Sequence, residues 1–152
     1  MEIERKFLIR QLPENLKDYP FHIIEQAYLC TDPVVRVRRE DEEYYMTYKG
    51  KGLLAREEAN LPLNRTAYEH LKEKADGNII SKTRYLIPDP DGVHTIELDI
   101  FDSPFSPLVL AEVEFESIEA ADAYQMPGWF REDVTGQPAY HNSNMSKRNF
   151  SE

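Results

Sequence analysis

Cysteine is nearly absent: Cys30 is the only one among 152 residues. An internal disulfide and a thiolate metal cluster are therefore excluded. No run of 18 apolar residues occurs, so no membrane-spanning helix is expected. The acidic N-terminus lacks an apolar segment of the secretory kind, and a cytoplasmic location is the simplest reading. No Gly/Ser-rich linker, low-complexity tract or solenoid repeat interrupts the chain, which reads as a single domain over residues 1–152. Positive charge is in deficit: 18 Lys and Arg against 28 Asp and Glu leave a net charge of −10. That balance argues against a nucleic-acid polymer as partner but permits a small anion in a cavity where bases concentrate. His22, His70, His94 and His141 are scattered without metal-ligand spacing. Ser81, Ser103, Ser106 and Cys30 have no context that would make a nucleophile.

What the chain has in abundance is alternation. Period-two patterning predicts strands near 2–10, 22–31, 34–40, 43–50, 54–62, 79–88, 93–102 and 109–116. Thr31-Asp32-Pro33, Glu40-Asp41-Glu42, Gly50-Lys51-Gly52 and Asp89-Pro90-Asp91-Gly92 supply the breaks between them. One helix is predicted from Arg65 to Asp76, capped by Asn64 and stopped by Gly77; a second runs from Ser117 to Met126, before Pro127. A short helical turn is expected near Pro13 to Lys17. Many antiparallel strands with few helices give an α+β class whose sheet closes or nearly closes.

The strands carry charge on one face. Glu2, Glu4 and Lys6 share a face opposite Ile3 and Phe7, and successive like-facing residues lie about 7 Å apart, a spacing at which two carboxylates can share a hard divalent cation. Arg36 and Arg38 alternate with valines; Lys49 follows Thr47; Arg56 shares a face with Glu58, Lys82 with Arg84, Glu97 with Asp99, and Glu112 with Glu114. Alternation fixes faces, not which face is inside. A sandwich with these charges in water and a curled sheet enclosing them both fit. Two details favour the enclosed arrangement. Acidic and basic strands segregate rather than mixing signs. Four of the basic positions are arginine, which suits bidentate phosphate contacts.

These residues resemble the CYTH-domain proteins of the triphosphate tunnel metalloenzyme superfamily. The E-x-E-x-K motif of Glu2, Glu4 and Lys6 is followed in order by Gln26-Ala27-Tyr28-Leu29, Val35-Arg36-Val37-Arg38, Thr47-Tyr48-Lys49-Gly50 and Arg56-Glu57-Glu58. Lys82-Thr83-Arg84-Tyr85, Glu97-Leu98-Asp99-Ile100-Phe101, Ala111-Glu112-Val113-Glu114-Phe115 and Glu132-Asp133-Val134-Thr135, with Tyr140 and Asn142, complete the set. One departure stands out: Asn60 occupies a position where the family often has a second glutamate after Glu58.

The resemblance implies an eight-stranded antiparallel β-barrel with a charged open tunnel and helices outside. It implies hydrolysis of triphosphates, most simply inorganic tripolyphosphate, dependent on Mg²⁺ or Mn²⁺. Lys6, Arg36, Arg38, Lys49, Arg56, Lys82 and Arg84 are the expected phosphate contacts. Glu2, Glu4 and Glu114 are the expected ligands of a first metal. Asp99 and Glu112, with Glu97 nearby, would serve a second metal or the attacking water, so Lys6, Asp99 and Glu112 are the catalytic candidates. Class IV adenylyl cyclase, thiamine or nucleoside triphosphatase, and a non-catalytic polyphosphate or nucleotide binder remain the alternatives. The expected partner is a small triphosphate, with no nucleic-acid polymer and no membrane, and the chain is a monomer or homodimer.

Overall fold

The computed structural model describes residues 1–150. Strands β1 (Glu2–Ile9), β2 (Phe21–Thr31), β3 (Val34–Glu40), β4 (Glu43–Lys49), β5 (Ala55–Arg56), β6 (Glu58–Leu63), β7 (Asp76–Pro88), β8 (Thr95–Phe101), β9 (Val109–Glu114) and β10 (Phe130–Asp133) form one sheet. The order is β10-β1-β9-β8-β7-β2-β3-β4-β6, with antiparallel pairing throughout. β5, separated from β6 only by Glu57, pairs back onto β1 through Glu2↔Arg56 and Ile3↔Ala55. With β5 and β6 counted as one interrupted strand, the sheet curls into the eight-membered barrel expected. β10 is an addition, pairing with Phe7–Ile9 at the end of β1, on the edge opposite β9.

The packing is inside-out relative to a sandwich. Phe7, Ile96, Leu98, Val113 and Phe130 point outward and are covered by α2 (Ile118–Ala123) and its flanks. Ala27 and Val37 on the next stretch of wall are covered by Tyr68 of α1 (Arg65–Lys72). Both helices begin where expected: Asn64 Oδ1 accepts from Ala67 N at 2.7 Å, and Ser117 Oγ accepts from Ala120 N at 3.0 Å. Both end earlier than their periodicity predicts. Asp76 and its successors are drawn into β7, where Asp76 pairs with Tyr28, and long-range pairing overrides local helix pattern. Gly77 therefore does not stop a helix. It lies in β7 at φ +75°, where a Cβ would collide with the Ser146 carbonyl, so glycine is what admits the C-terminal segment. The helical turn expected near 13–17 is a 3₁₀ turn at Leu16–Asp18.

The inward face changes character along the barrel axis. Leu8, Ile80, Phe101 and Leu110 are one inward position away from Lys6, Lys82, Asp99 and Glu112, and they pack with Tyr28, Val34 and Met145 into an apolar floor. Met145 comes from α3 (Asn142–Met145), the short helix that returns to this end of the barrel.

Candidate active site

Above that floor lies a cavity of about 360 Å³. Glu2, Glu4, Lys6, Arg36, Arg38, Lys49, Arg56, Lys82, Arg84, Glu112 and Glu114 all line it, as do Glu58 and Glu97. The strand register places these side chains. Arg84 sits opposite Asp99 across β7 and β8, Glu97 opposite Glu112 across β8 and β9, and Glu4 opposite Glu114 across β9 and β1.

One part of the interior is neutralised by its own charges. Arg84 donates from Nε to Asp99 Oδ1 at 2.7 Å, from Nη2 to Asp99 Oδ2 at 2.8 Å and to Glu112 Oε2 at 2.9 Å, and from Nη1 to Glu97 Oε2 at 2.9 Å. Lys82 Nζ lies 2.7 Å from Asp99 Oδ2, and Lys6 Nζ lies 3.0 Å from Glu112 Oε1. These cations hold Asp99 below and Glu112 well below the usual carboxylate range despite burial. Asp99 was expected among the metal-binding and catalytic carboxylates. It is fully buried, does not line the cavity, and has both oxygens engaged by Arg84 and Lys82. Near the seam, Lys49 Nζ bridges Glu2 at 2.8 Å and Glu58 at 3.4 Å.

The rest is unpaired. Among the described residues, Arg36, Arg38 and Arg56 have no carboxylate partner, and Glu4 and Glu114 have no cation partner. Arg36 donates from Nη2 to Thr47 Oγ1 at 3.1 Å, while its Nε is the one buried side-chain nitrogen or oxygen without a hydrogen-bond partner among the described residues. Burial, with Arg38 beside it, lowers its pKa. Arg38 is held by Gln26 Oε1, and Arg56 Nε donates to the Gly50 carbonyl at 3.0 Å. Glu4 is pushed up to about 7 by burial, with Glu112 and Glu2 adding repulsion.

Glu2, Glu4 and Glu114 are an all-oxygen set, the kind of donor that hard divalent cations take, and the raised pKa of Glu4 reflects its burial first and the nearby Glu112 and Glu2 second. They fit such a cation in chemistry and in shared face. They are not drawn together: among the described residues no three acidic, histidine or cysteine side chains converge closely enough to hold a metal, and Glu2 is turned to Lys49.

Sequence reasoning missed several lining residues. Asn142 and His141 reach the cavity from the C-terminal segment, and Gln26 links Arg38 to Asn142. Asn142 and the strand containing Gln26 were visible as motif positions, but nothing in their spacing revealed that they touch. His22 and His94 lie outside the cavity, each beside an aspartate.

Three comparisons bear on this site. The CYTH domain model matches residues 1–135. An inorganic triphosphatase of Nitrosomonas europaea is 42% identical over 145 residues, 93% of each chain. An inorganic triphosphatase of Acetivibrio thermocellus is 32% identical, covering 99% of this chain and 98% of its own. The crystal structure of the inorganic triphosphatase NE1496 superposes with a TM-score of 0.73 at 37% identity, covering 98% of this chain and 96% of that one. PH1012 of Pyrococcus horikoshii, at 21% identity and a TM-score of 0.59, shares the fold.

Proposed function

The chain belongs to the CYTH domain family, and from that premise we propose that it is a divalent-metal-dependent hydrolase of triphosphates, with inorganic tripolyphosphate as its first substrate. One observation carries the reading. The cavity leaves three arginines without carboxylates and two glutamates without cations, and a metal–polyanion complex supplies both missing partners.

Arg36, Arg38 and Arg56 fix phosphate oxygens by paired N–H donors, with Lys6, Lys49, Lys82 and Arg84 adding charge. Glu2, Glu4 and Glu114 hold Mg²⁺ or Mn²⁺, which when bound supplies charge neutralisation over the phosphate oxygens. Asp99 anchors Arg84 and Lys82. Lys6 is shared between Glu112 Oε1 and, at 3.5 Å, the Tyr140 carbonyl. Transfer of that ammonium to a phosphate oxygen frees Glu112 Oε1 to orient the attacking water. The water oxygen bonds to the terminal phosphorus in line as its bridging P–O bond breaks. The electron pair leaves with pyrophosphate, and orthophosphate, the second product, carries the protons of the water.

The test is phosphate release from tripolyphosphate, ATP and thiamine triphosphate with Mg²⁺ or Mn²⁺, alongside an assay for cyclic AMP. Release from tripolyphosphate at the highest kcat/KM is expected. Cyclic AMP without phosphate would replace the reading with a cyclase, and inactivity with both metals on every substrate would replace it with a binder.

A further inference from the structure

The family match ends at residue 135, yet the cavity is lined by residues beyond it. The segment from Pro138 to Ser146 folds as a 3₁₀ turn and α3, and it is tied to the barrel by Asn78 N donating to the Ser146 carbonyl at 2.6 Å. Within it, Asn142 is only 8% exposed. Its Oδ1 accepts two bonds from barrel side chains: Gln26 Nε2 at 3.0 Å and Lys82 Nζ at 3.2 Å.

The direction of these bonds is determined by what lies behind them. Arg38 can only donate, and both its Nε and Nη2 donate to Gln26 Oε1. That fixes the amide of Gln26 with its NH₂ pointing the other way, where it needs an acceptor. Asn142 Oδ1 is the nearer acceptor at 3.0 Å, with the Tyr28 hydroxyl at 3.4 Å, and the same oxygen accepts a hydrogen bond from Lys82 Nζ. This one carbonyl thus joins Asp99 in orienting the ammonium of Lys82 and orients the guanidinium of Arg38 through Gln26. Arg38 has no carboxylate to steer it, so without this relay its aim into the cavity depends on Tyr45 alone, whose hydroxyl lies 3.4 Å from Nη1.

We propose that Asn142 is a positioning residue for anion binding, aiming Lys82 and, through Gln26, Arg38 at the phosphates, so that the C-terminal segment after residue 135 completes the site. The proposal rests on the triphosphatase reading, because the two cations are assigned there to phosphate.

The test is a double-mutant cycle with Asn142→Leu and Gln26→Met, each close to the native side chain in volume. Each single variant is expected to raise KM for tripolyphosphate about tenfold, the size of one lost hydrogen bond to a charged group, with a smaller change in kcat. The double variant is expected to be no worse than the worse single, because both substitutions cut the same relay. Binding of inorganic phosphate without metal, measured by calorimetry, is expected to weaken in parallel. Additive effects, or losses that follow only the drop in Tm with KM unchanged, would overturn the proposal. If Asn142→Leu does not fold, Gln26→Met decides it alone: an unchanged KM and phosphate affinity would overturn the relay. A wild-type protein that releases no phosphate from tripolyphosphate would overturn the functional reading, and the relay would then stand or fall on the calorimetry.

Discussion

The two parts of the charged interior are wired differently. Around Arg84, three carboxylates and three cations neutralise one another, and Asp99 accepts from a fork of two guanidinium nitrogens. Around Arg36 and Glu4, charges of both signs are buried or half-buried with no opposite partner. Desolvating an unpaired ion costs free energy that only a ligand returns, whereas a completed network holds the wall together with or without one. The comparison separates residues that maintain the site from residues that wait for its contents, a distinction that residue type alone does not make: Arg36 and Arg84 are both arginines, both about 7% exposed or less.

The largest effect is expected from cutting the completed network. Arg84→Met leaves Glu97 without a cation and strips Asp99 and Glu112 of one each. Breaking a buried pair from one side typically costs about 3–5 kcal/mol. Urea denaturation should show a loss of that order, accompanied by loss of activity. Arg36→Met makes the opposite case. The residue has no carboxylate to abandon, so stability should be unchanged or higher, while kcat/KM for tripolyphosphate falls by about 100-fold or more. If Arg36→Met unfolds the protein, or Arg84→Met leaves its stability intact, the division into maintained and waiting charges fails.

The next effect is a pH dependence. An acid whose pKa rises on folding makes the folded state less stable as it ionises, so Glu4 withdraws stability from the metal-free protein as pH rises from its ordinary 4.5 through about 7. Above that range the full shift corresponds to about 3 kcal/mol, and about 2 kcal/mol once screening by cavity water is allowed for. Glu4→Gln should therefore be more stable than wild type at pH 8 without metal and no more stable at pH 4. Its hydrolytic activity should be abolished. Equal stability differences at both pH values would mean that Glu4 is not electrostatically frustrated.

Much of this was legible beforehand. The eight alternating strands and the charges shared by one face of each follow from period-two patterning, and the two helix starts from their capping residues, because each is a local property of one segment. The pairing is not local, since it depends on register between strands. The Asp89–Gly92 turn marks the β7–β8 hairpin, but counting outward from it would set Arg84 opposite Glu97; the observed register is two residues further, with Pro88 opposite Thr95 and Arg84 opposite Asp99. The apolar floor was also readable, since Leu8, Ile80, Phe101 and Leu110 continue the charged face by one step. β10 and the contacts of Asn142 were not, because docking of the C-terminal segment leaves no periodic trace.

A surface cluster gives the smallest effect and the control for the comparison. His94 Nδ1 lies 2.6 Å from Asp91 Oδ2 and its Nε2 2.9 Å from Glu116 Oε2, distances as short as those around Arg84. Both carboxylates raise the pKa of His94 above its ordinary value, with burial opposing them only weakly. A histidine raised in this way stabilises the fold fully below its unfolded pKa of 6.5, and that contribution disappears as pH climbs through the raised folded value. The difference in Tm between wild type and His94→Gln should therefore be larger at pH 5.5 than at pH 9. Solvent around Asp91 and Glu116 should keep it on the order of 1 °C. Geometry here matches the interior and only burial differs. A loss from His94→Gln as large as that from Arg84→Met would show that distance, rather than exclusion from water, gives the interior network its weight, and the contrast between its two halves would lose its physical basis.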